Sequence, residues 1–278
     1  HKRILKEWLS GHVVHGEILL PGVAMMEMAL AVSIQSMVKG KGTSSSSTTV
    51  VVEGFSISAP VVVKDDDNEE MVTLHCTLDE EGSVNIYSSK SMDDAHAFAE
   101  SRVEDGKENS EWNNVERNTR ACSITCTESV DVKAMYSTMA KKGLEYGAPF
   151  RLIEEAWASV DGLNCTSIIN LKNDYEACDK YEISPAVLDA ALHTCFCLKS
   201  ESRVPVAIDK VMYRPALKGE IAELDSCRSV VTTISSDASM TVFDCAITTP
   251  SGAMMLHMGG IHVRVFGANA SSKPQQLG

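Results

Sequence analysis

His12-Val-Val-His-Gly-Glu-Ile-Leu-Leu-Pro21-Gly22, running directly into VAMMEMALAVSIQSMV (residues 23–38), is the stretch whose reading decides the fold. Residues 12–20 are apolar and β-branched enough to predict a short strand. Pro21-Gly22 breaks it, and Pro suits a helix start because the N–H it lacks would find no partner there. The helix that follows is apolar almost all round, so most of its sides must be buried. Its methionines, Met25, Met26 and Met28, read as core. A lone buried helix needs a partner that hides it, and a sheet wrapped round it hides the helix and the sheet's inner face together.

Outward from this stretch, the sequence supplies such a sheet. The polar connector GKGTSSSSTT (40–49) leads into strand-like runs: TTVVVEGFSIS (48–58), APVVV (59–63), EMVTLHCTL (70–78), SVNIYSS (83–89) and AHAFAESRV (95–103). Val, Ile and Thr dominate them, and charges or Gly fill the turns. Residues 104–121 are polar and unpatterned and read as a linker. The order then repeats loosely. A helical stretch (129–143) leads to GLEYGAPF (143–150), strand candidates IEEAWASV and CTSIINL follow, and Ser184-Pro185 opens a second apolar helix, AVLDAALHTCFCLK. Four more strand candidates lie between residues 204 and 266. The expected class is α+β, with two antiparallel sheets each wrapped round a central helix. The expected halves are 1–103 and 122–268, with 269–278 a linker-like tail.

Composition narrows the function classes. The net charge of −13 over 278 residues argues against nucleic acid, whose phosphates want a basic surface. No run of about 18 apolar residues is present to span a membrane. The basic N-terminus lacks the apolar core and cleavage site of a signal peptide. A first residue other than Met leads to the expectation of a piece of a longer polypeptide. Nine cysteines without a CxxC pair suit reduced thiols and a cytoplasmic location. Cys195 and Cys197 fall on opposite sides of a helix, which argues against a zinc site; no metal and no cofactor are expected.

Three patterns carry chemistry when read together: His12-x-x-x-Gly16-x-x-x-x-Pro21-Gly22, then Gly143-Leu-Glu-Tyr146-Gly147-Ala-Pro-Phe150, then Leu188-Asp189-Ala-Ala-Leu-His193. In this order and spacing they resemble the polyketide synthase dehydratase family, and VPVAIDKVMYRP (204–215) resembles a further stretch of it. The resemblance implies a double-hotdog fold and loss of water from a 3-hydroxyacyl chain. That chain would ride on the phosphopantetheine arm of an acyl carrier protein, with other synthase domains as neighbours and a homodimer as one possible assembly. It departs at two places: Gly11 stands where the family often has Asp, and Pro149 comes one place late. Both bear on substrate fit more than on the reaction.

The chemistry needs a base for the C2 hydrogen and an acid for the departing hydroxyl. A neutral imidazole is a good base near neutral pH, which assigns that role to His12. Hydroxide leaves poorly, so Asp189 is expected to carry a proton, with burial lifting its pKa. His193 lies four residues on along one helix face and can orient the carboxyl. The resemblance places Tyr146, with Gly147 and Phe150, near the substrate hydroxyl. Backbone N–H groups around Gly16 and at the Pro21-Gly22 helix start are candidates to polarise the thioester carbonyl.

Blander readings apply elsewhere. His15 is expected on the opposite strand face from His12, and His75, His96, His257 and His262 have no patterned neighbours. An acidic chain repels an acidic carrier, so Arg203, Lys210 and Arg214 are candidates for a local basic docking patch. Related reactions on the same fold, namely enoyl isomerisation, pyran formation and product-template cyclisation, remain alternatives, as does a catalytically silent structural module.

Overall fold

The apolar run after Pro21 forms α1 (Gly22–Lys41). Val23, Ala24, Met25, Met26, Ala29 and Leu30 are all buried, so its first two turns are enclosed on most sides, with Met28 half-buried. Burying a large aliphatic side chain of this kind stabilises by roughly 1.5–3 kcal/mol. The computed structural model describes residues 8–41, 48–63, 73–88, 95–105, 109–172, 181–198, 203–218 and 223–265. Within these, the further helices are α2 (Ser110–Thr125), α3 (Val132–Lys141) and α4 (Pro185–His193), the last continued by a 3-10 turn over Thr194–Leu198.

The strands of the first half are β1 (His12–Val14), β2 (Glu17–Ile18), β3 (Thr48–Ile57), β4 (Leu74–Leu78), β5 (Ser83–Ser88) and β6 (Ala95–Asp105). Those of the second are β7 (Cys126–Val130), β8 (Leu144–Tyr146), β9 (Ile153–Ser159), β10 (Asn164–Asn170), β11 (Arg203–Tyr213), β12 (Ser226–Ser236), β13 (Met240–Thr248) and β14 (Met254–Val265). Strands β4-β5-β6-β3 pack on α1, and β11-β14-β13-β12-β10-β9-β7 curve round α4. This is a double hotdog. The two sheets are not separate: β3 pairs antiparallel with β11, Val52 opposite Val211 and Val50 opposite Tyr213, making one 11-stranded sheet.

Of residues 104–121, read as an unpatterned linker, 104–105 end β6 and 110–121 belong to α2, which runs on to Thr125. Asn109 caps the helix by accepting the Trp112 N–H on its side chain. Trp112 is buried against Val51, Met212, Ala246 and Met254 on the outer face of the sheet. That is why β3 reads TTVVV without alternation. Val50 and Val52 face the main core while Val51 faces α2, so the strand is apolar on both sides. The segment 59–63, read as a strand, makes only an isolated bridge from Val62 to Leu19.

The expected strand over 12–20 is instead a small hairpin, β1 and β2, turning at His15 (φ 50°) and Gly16 (φ 83°). Positive φ at both central positions gives the tight turn whose twist matches a hairpin. His15 therefore sits in the turn and not on a strand face. Across β1, the third strand of this small sheet is β8 of the other half.

Candidate active site

The β1–β8 pairing explains why the first two sequence patterns belong together. His12 lies opposite Tyr146, Val13 opposite Glu145 and Val14 opposite Leu144. The His15 ring occupies the space beside Gly143 (φ 84°), where an added Cβ would lie 2.6 Å from Nδ1. At the other end Gly11 and Gly147 cross so closely that a Cβ on Gly147 would lie 2.9 Å from the Gly11 Cα. The Gly147 N–H donates to the Gly11 carbonyl over 2.7 Å. The two departures from the family pattern meet here: a Cβ at Gly11 would lie 3.4 Å from both Pro149 Cδ and Phe150 Cδ2. The shifted proline packs where a side chain at position 11 would begin.

His12 is 6% exposed and faces Phe150 and Tyr146, at 5.3 and 5.4 Å between ring centroids. Its Nδ1 lies 2.9 Å from the Leu19 carbonyl, an acceptor only, so Nδ1 carries the hydrogen and Nε2 keeps its lone pair. Leu19 returns the contact by donating its N–H to the His12 carbonyl over 3.1 Å. Nε2 is 3.8 Å from Asp189 Oδ2. Asp189 (7% exposed) stands on α4 among buried Leu188, Ala190, Ala191 and Leu192. His193 Nε2 lies 3.0 Å from the same oxygen, off the line of a well-formed hydrogen bond. Beyond it, the Tyr136 hydroxyl is 3.4 Å from His193 Nδ1, and the Tyr146 ring lies 3.9 Å from the imidazole between centroids. The Tyr136 hydroxyl can donate to Nδ1 of a neutral ring or accept from it when the ring is doubly protonated, and in both states Nε2 carries a hydrogen toward the carboxyl.

The expectation that burial lifts the Asp189 pKa needs correction. Burial does push the carboxyl up, but the imidazoles of His193 and His12 push it down by more, so it lies below the usual carboxylate range. For His12 burial dominates and lowers the pKa, although Asp189 opposes it. Burial, then the Asp189 charge, pushes the Tyr146 phenol well up, and Tyr136 likewise. Both therefore stay protonated and can only donate or accept hydrogen bonds.

Of the other sequence candidates, Gly16, Pro21 and Gly22 serve as backbone pivots: the hairpin turn and the start of α1, where Ala24 N–H bonds the Pro21 carbonyl. Tyr136 lies outside all three sequence patterns. His257 and His262 do have partners, 3.9 Å from Asp244 and 2.9 Å from Asp209. The basic patch does not stand as a patch. Lys210 is neutralised by Glu111 at 2.6 Å and Glu53 at 3.8 Å, and Arg214 stacks on Trp112. The Arg203 side chain lies outside the described residues. Burial pushes the Cys197 thiol up to about 12 and Cys195 still higher, which leaves neither as a nucleophile. Among the described residues, no helix is long and apolar enough to cross a membrane.

A His and an Asp from opposite halves, meeting in a buried site, can be set beside known proteins. Residues 116–273 match the family model described as "Polyketide synthase dehydratase N-terminal domain", and residues 3–89 match "Polyketide synthase dehydratase domain". The highly reducing polyketide synthase otaA of Aspergillus carbonarius is 26% identical over 253 residues, covering 84% of this chain and 10% of that protein. The chain spans a tenth or less of the length of the first such relatives. Among solved structures, a trans-AT polyketide synthase dehydratase domain from Brevibacillus brevis superposes with a TM-score of 0.72 at 19% identity, covering 93% of this chain and 89% of that one. Two inactive mutants of the CurK dehydratase from the curacin polyketide synthase, one His to Phe and one Asp to Asn, give TM-scores of 0.68 and 0.66 at 21% and 20% identity. They cover 93% and 92% of this chain, and 87% and 86% of theirs. With more than half of its length matched by one family model and most of the remainder by a second, the chain belongs to the polyketide synthase dehydratase family.

Proposed function

We propose that this dehydratase domain removes water from a 3-hydroxyacyl thioester with His12 as the base and the Asp189–His193 pair as the acid. One observation carries the reading: His12 Nε2, freed as an acceptor by the Leu19 carbonyl, stands 3.8 Å from Asp189 Oδ2 with both side chains buried. Nε2 takes the C2 proton, the electrons of that bond form the C2–C3 double bond, and the C3–O bond breaks. The departing oxygen receives a proton from the pair and leaves as water.

The low pKa of Asp189 shapes the acid step. The proton for the hydroxyl is one that the pair holds beyond the single ring hydrogen of a neutral His193: Asp189 shares it with a doubly protonated His193 as one coupled unit, not as an isolated carboxylic acid. When His12 accepts the C2 proton it becomes a cation next to Oδ2. At an effective dielectric of 20, two unit charges at that distance attract by roughly 4 kcal/mol. That attraction favours the carboxylate left behind, so uptake of the C2 proton and release of the other reinforce each other. Before the next turnover His12 gives up the C2 proton and the Asp189–His193 pair takes one up, which restores the starting protonation. The histidine-to-phenylalanine and aspartate-to-asparagine forms of the CurK dehydratase, both inactive, support the same two roles here.

The substrate rides on the phosphopantetheine arm of an acyl carrier protein, and neighbouring synthase domains hold that carrier close. Tethering raises its effective concentration to the order of millimolar, which offsets repulsion by a chain of net charge −13. Incubation with a 3-hydroxyacyl thioester and mass spectrometry of the product tests the reading. Loss of one water to give the conjugated enoyl thioester is expected. A shifted double bond or a ring as the first product contradicts it.

A further inference from the structure

Glu27 is the one acidic residue of α1, and it is 5% exposed in the second turn among apolar neighbours. Its Oε1 accepts the backbone N–H of Glu182 at 2.9 Å, a contact from the first half to the second. Residue 182 lies three positions before Pro185, where α4 begins, and Asp189 follows one turn later. The Glu182 carbonyl is held from the other side by the Tyr213 hydroxyl at 3.3 Å, and its side chain pairs with Lys218 at 3.2 Å. The helix has no capping device of its own: Ser184 makes no side-chain capping hydrogen bond, and its buried hydroxyl finds no partner. Beyond the packing of its buried side chains, the start of α4 is thus tied down by the hydrogen bonds that hold residue 182.

We propose that Glu27 is a positioning residue for the dehydration: by holding the Glu182 N–H it sets the start of the Asp189 helix against the half that carries His12. The inference rests on the functional reading above. The catalytic pair spans two halves, and its separation depends on contacts that tie α4 to the first half; α1 packs directly on α4 and supplies this one. A contact to a backbone N–H fixes the helix start whatever side chain stands at 182. Among the described residues Glu27 is faced by Glu182, Lys218, the Tyr213 phenol and the Cys76 thiol, so its charge has one cation against it there. Burial, with Glu182 adding, pushes its pKa up to about 7. The acceptor oxygen and not the charge is thus the working feature, and glutamine can supply it.

The test compares Glu27→Leu, Glu27→Gln and Tyr213→Phe by turnover of a 3-hydroxyacyl thioester and by hydrogen exchange of the backbone amides. Glu27→Leu is expected to lower kcat by about 10- to 100-fold with KM within about twofold, as an ångström-scale misplacement of reacting groups does. It also speeds exchange over residues 182–188 by roughly tenfold while the sheet exchanges as before. Glu27→Gln keeps kcat within about threefold of the parent. Unchanged kcat and unchanged exchange in Glu27→Leu overturn the proposal, as does faster exchange throughout the domain. If Glu27→Leu does not fold, Tyr213→Phe decides: local loosening at 182–188 with a smaller fall in kcat supports the clamp, and its absence overturns it. A parent domain with no turnover refutes the functional reading instead, and the exchange measurement then tests the clamp by itself.

Discussion

Gly147→Ala should separate the role of the β1–β8 crossing from that of the reacting groups. The new Cβ would lie 2.9 Å from the Gly11 Cα, and ordinary contacts begin near 3.4 Å. The neighbour is backbone, so no side chain can swing aside. The two segments must part by at least about half an ångström, next to the 2.7 Å hydrogen bond from the Gly147 N–H to the Gly11 carbonyl. His12 is the very next residue and carries the displacement toward or away from Asp189. Overpacking of this kind costs about 1–3 kcal/mol of stability. A misplacement of up to about 1 Å costs as much as a hundredfold in rate. The assay is kcat/KM on a 3-hydroxyacyl thioester together with thermal unfolding. The variant is expected to stay folded and lose roughly 10- to 100-fold in kcat/KM. Gly11→Ala, whose Cβ meets its nearest atom at 3.2 Å, should lose less. Parent-like activity in Gly147→Ala would refute the claim that this crossing places the base.

Because burial lowers the His12 pKa, the acidic limb of kcat/KM should fall below about 6.5, the ordinary imidazole value, and a limb at or above it counts against His12 as the buried base. Glu27 carries a stability cost with a definite sign. Its pKa of about 7 in the folded chain exceeds the ordinary glutamate value of 4.5, so stability is full below 4.5 and falls as pH rises to 7. The loss approaches about 3 kcal/mol. Glu27→Gln should therefore raise the unfolding midpoint at pH 8 and leave it nearly unchanged at pH 4. Trp112→Ala should cost about 3–5 kcal/mol by emptying the core under α2 and stripping Arg214 of its stacking partner; a loss under 1 kcal/mol would show that this helix is not a structural layer. Tyr136→Phe should lower kcat by several-fold without moving KM, since it removes only the hydroxyl beside His193 Nδ1.

The sequence revealed what repeats a local pattern and hid what depends on assembly. Pro21-Gly22 before an apolar run, and Ser184-Pro185 before another, marked both central helices because the signals are local. The linker helix was legible in principle: Trp112, Val115, Thr119 and Cys122 fall at helical spacing, but amid so many polar residues the stripe is thin. Tyr136 shares a buried stripe with Met135 and Met139, and a phenol in such a stripe is the one local signal of its role. The direction of the Asp189 shift was not legible. His193 was in view four residues on, but whether its field outweighs burial was not, and only the folded chain brings the His12 ring beside the carboxyl as well. The pairing of Lys210 with Glu111 and Glu53 likewise joins residues far apart in sequence, so a cation that looked free is neutralised.

The most direct test of the central claim is water loss from a 3-hydroxyacyl thioester by the parent domain, His12→Phe and Asp189→Asn, each checked for parent-like unfolding. The parent should release the enoyl thioester, and both variants should be slower by at least about a hundredfold, the usual contribution of a positioned acid or base. Turnover within about tenfold of the parent in either folded variant would contradict the account.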